Sequence, residues 1–265
     1  MITSTSNAKV KYLVNLRKKR KARDEEKVFL VEGIRMFVET PKDKLKEVYV
    51  SESFYKKEKK TVEQVMQGSR AKMEVFSDTV FAYVSDTKTP QGVLCVVKQM
   101  DYSVEEILDL KNGVPQLLVL DNLQDPGNLG TILRTAEGAG VTGIVMSKET
   151  VDIYNPKVIR STMGSVYRMP FYYAEDLLEA ITQMKAKGIR TFAAHLDGKN
   201  AYDEENYCVP CAFFIGNEGN GLRDEIANAA DTYIRIPMCG KVESLNAAIA
   251  ATVLMFETAR QRRHS

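Results

Sequence analysis

The chain has no long apolar run. Nowhere in its 265 residues do about 18 apolar residues follow one another, so the sequence offers no membrane span. Cysteine is scarce, and four residues do not suggest a disulfide framework. Histidine is scarcer: His195 and His264 stand alone, which argues against most imidazole-based acid–base mechanisms. The glycine-rich segment 216–221 has no Lys-Ser/Thr after it and no Gly-x-Gly-x-x-Gly spacing, so it is neither a Walker loop nor a dinucleotide fingerprint. Internal repeats and low-complexity segments are absent. Residues 1–6 lack the apolar core of a signal peptide, and a cytoplasmic location is expected.

A hydrophobic content of 44% and a charged content of 27% mark a soluble globular protein of one large or two ordinary domains. Net charge is only +2, but it is unevenly spread. Lys9, Lys11, Arg17, Lys18, Lys19, Arg20, Lys21 and Arg23 crowd the N-terminus, interleaved with Tyr12, Leu13 and Leu16. Such a basic arm is an electrostatic footprint for a polyanion. Lys9, Lys11, Arg17, Lys18, Lys19 and Arg20 are therefore the candidate contacts. A second cluster, Lys56, Lys57, Lys59 and Lys60, reads equally well as a solvated face.

The first part alternates helix and strand: helix over 6–16, strands at 28–31, 46–50, 73–76 and 93–97, and helices through 38, over 62–66 and over 80–84. That is a small α/β/α layer domain. Residues 101–113 are polar and read as a linker, giving domains 1–105 and 106–265. In the second part, strands are expected at 117–120, 143–146, 190–194, 212–215 and 233–236. The clearest intervening helix is over 174–187. Strands alternating with helices imply a mostly parallel sheet covered on both faces.

Three stretches of this second part share one construction: an apolar strand, a polar loop shaped by glycine or proline, and a helix start. The first passes from Asp121 through Asn122, Asp125, Pro126 and Asn128 to a helical segment over 131–139. The second passes from Ile215 through Gly216, Asn217, Glu218 and Gly221 to Leu222. The third passes from Ile236 through Pro237, Gly240, Ser244 and Asn246 to a segment over 247–257, apolar on nearly every face and so buried on more than one side. Its helix is expected to start at Ser244, a good N-cap. In open α/β sheets such loops gather at the carboxyl ends of strands, where ligands bind. Helix-start N–H groups there lack internal partners.

Asn128-Leu129-Gly130 with Arg134, then Ile215 through Leu222, then Ile236-Pro237-Met238 through Ser244-Leu245-Asn246, resemble the three motifs of the SpoU (TrmH-like) RNA 2′-O-methyltransferases. The likeness covers roughly 117–257. It implies a SPOUT-type parallel sheet with a C-terminal trefoil knot, a homodimer, and S-adenosylmethionine as methyl donor. The first domain is similar to the ribosomal-protein-like RNA-binding domain often fused ahead of SpoU catalytic domains, which favours ribosomal over transfer RNA as substrate.

By the same resemblance Asn128, Arg134, Glu218, Ser244 and Asn246 form the catalytic set. Gly216, Ile236, Met238, Leu245 and Ala194 line the cofactor. Ser244 and Asn246 are placed to hydrogen-bond the ribose, and Glu218 to hold either Arg134 or Asn128. Arg160, Ser161 and Arg168 are possible additional phosphate contacts. Cys208 and Cys211 have metal or redox spacing, but no second cysteine pair accompanies them and a zinc site needs about four ligands. No metal is expected. The rival from another class is a non-catalytic RNA-binding protein on the same fold, which would keep the basic arm without needing Arg134 or Asn246.

Overall fold

Runs of β-branched and aromatic residues, separated by capped helices, build two sheets. The computed structural model describes residues 1–109 and 113–264; residues 110–112 of the expected linker lie outside the described residues. The chain divides into two compact units, Met1–Met100 with Asp152–Tyr167, and Asp101–Val151 with Arg168–Ser265.

In the first unit, the Asn7 side chain accepts from Lys9 N–H and starts α1 (Ala8–Lys18), which buries Val10, Leu13 and Leu16. After α2 (Arg20–Glu26) come β1 (Val28–Glu32), α3 (Ile34–Glu39), β2 (Leu45–Ser51), α4 (Glu52–Met66), β3 (Lys72–Phe76), α5 (Asp78–Val84) and β4 (Val93–Lys98). The sheet order is β1-β4-β2-β3, with β2 and β3 parallel and the other pairs antiparallel. Leu13, Leu30, Tyr49, Phe76, Val80 and Val96 form its core.

Helix α4 starts ten residues earlier than position 62, because the Ser51 hydroxyl accepts from Phe54 N–H. Its polar first half, with a break at Glu58, is laced by Lys56–Glu52 and Lys59–Glu63 pairs at helical spacing. The second lysine cluster is thus partly paired on an exposed helix, in keeping with a solvated face.

The second unit contributes α6 (Val104–Ile107), β5 (Gln116–Leu120), α7 (Pro126–Ala139) and β6 (Gly143–Ser147). The chain then leaves it. Residues 152–167, with α8 (Pro156–Thr162), pack within the first unit. Buried Arg23 donates to Asp152 at 2.5 Å and to the Leu16 carbonyl at 2.6 Å, and Tyr154 lies 4.7 Å from the Phe29 ring. This excursion had no counterpart in the sequence pattern.

The chain returns with β7 (Phe171–Ala174), α9 (Leu177–Ala186), β8 (Arg190–Ala194), β9 (Asn200–Ala201), β10 (Cys211–Ile215), α10 (Asp224–Asn228), β11 (Thr232–Arg235) and α11 (Ala247–His264). The order β7-β6-β5-β10-β8-β11-β9 is parallel at every pairing. Strands β5, β6 and β10 are buried at every position, as a sheet covered on both faces demands. Helices α9 and α10 pack on Val119, Val145, Ala193 and Phe214. Helix α11 packs on α7 and β10.

Two boundaries differ from expectation. The segment 171–174 is a strand, and its helix begins later, where Asp176 accepts from the N–H groups of Leu178 and Glu179. The last helix begins at Ala247, three residues after Ser244. Asn246 is its cap, its side-chain oxygen accepting from Ala248 at 2.9 Å and Ile249 at 3.3 Å.

Candidate active site

Strand register places the ends of β5, β10, β8 and β11 side by side. Leu120 pairs with Ile215, Phe214 with Ala193, and Ile234 with Ala194. The three loops therefore emerge together within the second unit, at the carboxyl edge of its parallel sheet.

The first loop is closed by its own side chains. Asp125 caps α7 by accepting from Asn128 N–H at 2.8 Å, and Pro126 occupies the first turn, where no N–H is needed. The second loop is folded around Asn217. Its side-chain oxygen accepts from Gly219 and Asn220 N–H, its amide donates to the Asn122 carbonyl at 2.9 Å, and its backbone pairs with Gly221. A Cβ on Gly216 would sit 2.1 Å from the Gly221 carbonyl carbon, so only glycine fits this crossing.

One line of hydrogen bonds joins all three loops. The Asn246 amide donates to the Asn128 side-chain oxygen at 3.0 Å, and the Asn128 amide donates to Glu218 at 2.9 Å. Glu218 also accepts from the N–H groups of Asp125 at 2.9 Å and Gln124 at 3.1 Å. Of the two roles open to Glu218, the structure shows the contact with Asn128. Partial burial pushes the Glu218 carboxyl up, but these donors outweigh it and hold it below the ordinary carboxylate range.

Stability from these contacts is present above the usual glutamate pKa and is lost as pH falls through the lowered value. Glu218→Gln should accordingly lower the melting temperature at about pH 7, and the gap from wild type should narrow towards about pH 4. Melting curves at several pH values check this; a gap that widened in acid would contradict it.

Two residues not singled out from sequence lock the first and second loops together. Asp121, fully buried at the end of β5, accepts Arg223 N–H at 3.0 Å and its guanidinium at 2.8 and 2.9 Å. The signal was available: an aspartate ending a wholly apolar strand must find a donor.

Arg134 projects from α7 into solvent, with no hydrogen bond or ion pair to any described residue. Ser244 is likewise exposed and unpartnered. Ala194, Gly216, Ile236, Met238 and Leu245 are half-buried around the ends of β8, β10 and β11, while Leu196 and Val242 in neighbouring loops are exposed. Among the described residues no cluster of His, Cys, Asp and Glu could hold a metal ion.

His195 packs at a tilt against the Tyr233 ring, 4.9 Å between centroids, and accepts from Asp197 N–H, a packing and loop role. Cys208 and Cys211 are free thiols, and burial pushes Cys211 up to about 11, away from the reactive thiolate form. Of the additional candidates, Arg160 pairs with Asp86, Ser161 donates to the Lys157 carbonyl, and Arg168 pairs with Glu137.

The basic arm in the first unit is helical, and several of its cations are engaged. Lys9 pairs with Glu47, Arg20 with Asp24, and Arg17 donates to the carbonyls that end α5. Lys11, Lys18 and Lys19 are exposed without side-chain partners among the described residues.

A parallel α/β sheet whose three carboxyl-edge loops are bonded into one polar cradle, with Arg134 exposed on the adjoining helix, has the arrangement in which open α/β proteins bind ligands. The family is fixed by comparison. Residues 115–256 match the model of the SpoU rRNA Methylase family, and residues 7–95 match that of an MRM3-like substrate binding domain. The chain belongs to the SpoU rRNA methylase family. A 23S rRNA (guanosine(2553)-2′-O)-methyltransferase, RlmP, of Bacillus subtilis is 33% identical over 96% of this chain and 97% of its own length. The crystal structure of an AdoMet-bound rRNA methyltransferase from Sinorhizobium meliloti superposes with a TM-score of 0.87 at 32% identity, covering 99% of this chain and 97% of that one. The SpoU methyltransferase AviRb from Streptomyces viridochromogenes, in complex with AdoMet, gives 0.85 at 25% identity over 97% and 98%.

Proposed function

We propose that the chain methylates a ribose 2′-hydroxyl of ribosomal RNA, using S-adenosylmethionine, through the catalytic set Asn128, Arg134, Glu218, Ser244 and Asn246. The observation that carries the reading is the Asn246–Asn128–Glu218 line, which fixes three loops distant in sequence into one site. The donor supplies an activated sulfonium methyl for in-line displacement. The protein's task is then alignment, and near-attack positioning of this kind contributes roughly 7–11 kcal/mol. Gly216, Ile236, Met238, Leu245 and Ala194 hold the adenosyl group through backbone and apolar contacts.

A guanidinium is a planar fork of donors with no acceptor, so Arg134 clamps the target phosphate and steers the hydroxyl, while a phosphate oxygen or water takes the proton. Asn246 is already committed to Asn128 and to its helix, which makes it a positioning residue. Ser244 is left to meet the ribose. Residues 1–105 are assigned to RNA binding and 106–265 to the chemistry, save that residues 152–167 pack with the first unit. Among the described residues no helix can cross a membrane, and the site of action is cytoplasmic ribosomal RNA.

The working form is a homodimer. Ile249 and Phe256, 50% and 46% exposed and seven residues apart on α11, present an apolar stripe that a two-fold partner would cover with its own. Sedimentation should show a dimer at micromolar concentration, and Ile249→Asp with Phe256→Asp a monomer; a monomeric wild type would count heavily against this. The substrate is tested by mapping 2′-O-methyl sites in RNA from cells with and without the gene. A site lost from ribosomal RNA supports the reading, whereas loss confined to transfer RNA favours the alternative substrate, and no loss favours a non-catalytic binder.

A further inference from the structure

We propose that α1 and the end of α5 form a single-nucleotide site, in which an unpaired base of the RNA stacks on Tyr83 while Lys11, Lys18 and Lys19 hold the flanking phosphates. The identity of the polymer as RNA rests on the reading above.

A cleft of about 260 Å³ in the first unit is lined by Lys11, Asn15, Lys18, Lys19 and Tyr83, among others, and by no carboxylate. The three lysines are those of the basic arm without side-chain partners among the described residues. The Tyr83 ring is 55% exposed, more than any other aromatic side chain described. An exposed aromatic alone is ordinary. Set among unpaired cations in a concave surface, it has the composition of a stacking platform for single-stranded nucleic acid. A larger cleft of about 730 Å³ in the same unit, lined by Lys42, Lys46, Arg70, Lys72 and Lys98, also carries Asp43 and Glu47 and has no aromatic lining. It suits a phosphate backbone less well and an unstacked base not at all.

Arg17 ties the backbone beneath the platform to α1. Arg17 donates to the carbonyls of Tyr83 at 3.4 Å, Val84 at 2.8 Å and Ser85 at 2.6 Å, placing a cation on the otherwise unpaired end of α5. Arg17 thus positions the ring's backbone instead of meeting phosphate. The exposed Asn15 amide, also unpartnered, offers a donor and an acceptor to a base edge. Recognition of RNA through splayed, unpaired bases is physically favoured, because the edges of a paired A-form helix are poorly accessible in its deep groove.

The test is fluorescence anisotropy of the full chain with a labelled single-stranded RNA pentamer and the same pentamer made abasic at every position. Truncating an aromatic that stacks on a base in this way lowers affinity about 5- to 150-fold. Tyr83→Ala should show that loss with an unchanged salt slope, and Tyr83→Phe should stay within about twofold of wild type. Wild type should bind the abasic pentamer as weakly as Tyr83→Ala binds the intact one. Replacing Lys11, Lys18 and Lys19 with Ala should instead flatten the salt slope. Equal wild-type affinity for intact and abasic RNA, an unaffected Tyr83→Ala variant, or no pentamer binding would each overturn the proposal. Methyl transfer to ribosomal RNA, assayed in parallel, separates the two failures: transfer without a stacking signature removes only the Tyr83 site, and no transfer by wild type removes the methyltransferase reading.

Discussion

Arg134→Ala should bind S-adenosylmethionine within about twofold of wild type yet transfer methyl about 100- to 1,000-fold more slowly, a range typical for loss of one preorganised transition-state contact. The expectation follows from where the side chain lies. It stands on the exposed face of α7 with no partner among the described residues, so truncation leaves no buried group unpaired and little folding energy is lost. A group that acts on RNA and not on the cofactor lowers turnover without touching ground-state cofactor affinity. Arg134→Lys is the sharper variant, since it keeps the charge and removes the planar fork. Turnover near wild type in that variant would mean that a point charge suffices and that the two-pronged clamp is wrong. Single-turnover kinetics with calorimetry of cofactor binding measure both quantities.

Leu245→Arg should abolish measurable cofactor binding, with activity falling alongside it. Leu245 is half-buried one residue before the Asn246 cap, and it is assigned to the adenosyl wall. A guanidinium there would set an unpaired charge against the bound adenosyl group, a cost of several kcal/mol once desolvated. The two variants therefore part company: one binds and does not transfer, the other does neither. Loss of cofactor binding in Arg134→Ala, or retention in Leu245→Arg, would exchange the roles assigned to them. Circular dichroism on both variants guards against simple unfolding.

Much of the second unit was legible because a fully buried parallel sheet writes itself as unbroken apolar strands. The segments expected at 117–120, 143–146 and 212–215 are β5, β6 and β10 almost residue for residue, and β8, which opens on Arg190 and Thr191 and is half-buried at both ends, also lies where 190–194 was expected. The strand Phe171–Ala174 was hidden because it is short and runs directly towards a helix whose true cap, Asp176, is two residues further on. Helix α11 was misplaced at its start because Ser244 and Asn246 are both competent caps. Choosing between them takes tertiary information: Asn246 also donates to Asn128, and a serine has no second arm for that bond. The return of residues 152–167 to the first unit was illegible for a similar reason, since it hangs on the long-range contact between Arg23 and Asp152. In the site itself, loop chemistry pointed to three loops at the carboxyl ends of strands, and the roles of their residues came only from the resemblance. The partition of the basic arm was not legible, because whether a cation is engaged depends on which carboxylate or carbonyl the fold brings to it.

The central claim is that the three loops of the second unit align a ribose hydroxyl with a sulfonium methyl. The most direct measurement supplies the purified chain with methyl-labelled S-adenosylmethionine and ribosomal RNA, digests the product to nucleosides, and locates the label by mass spectrometry. The account predicts a single 2′-O-methylated nucleoside in wild type and almost none with Arg134→Ala. Label on a base atom, or label undiminished in that variant, would contradict it.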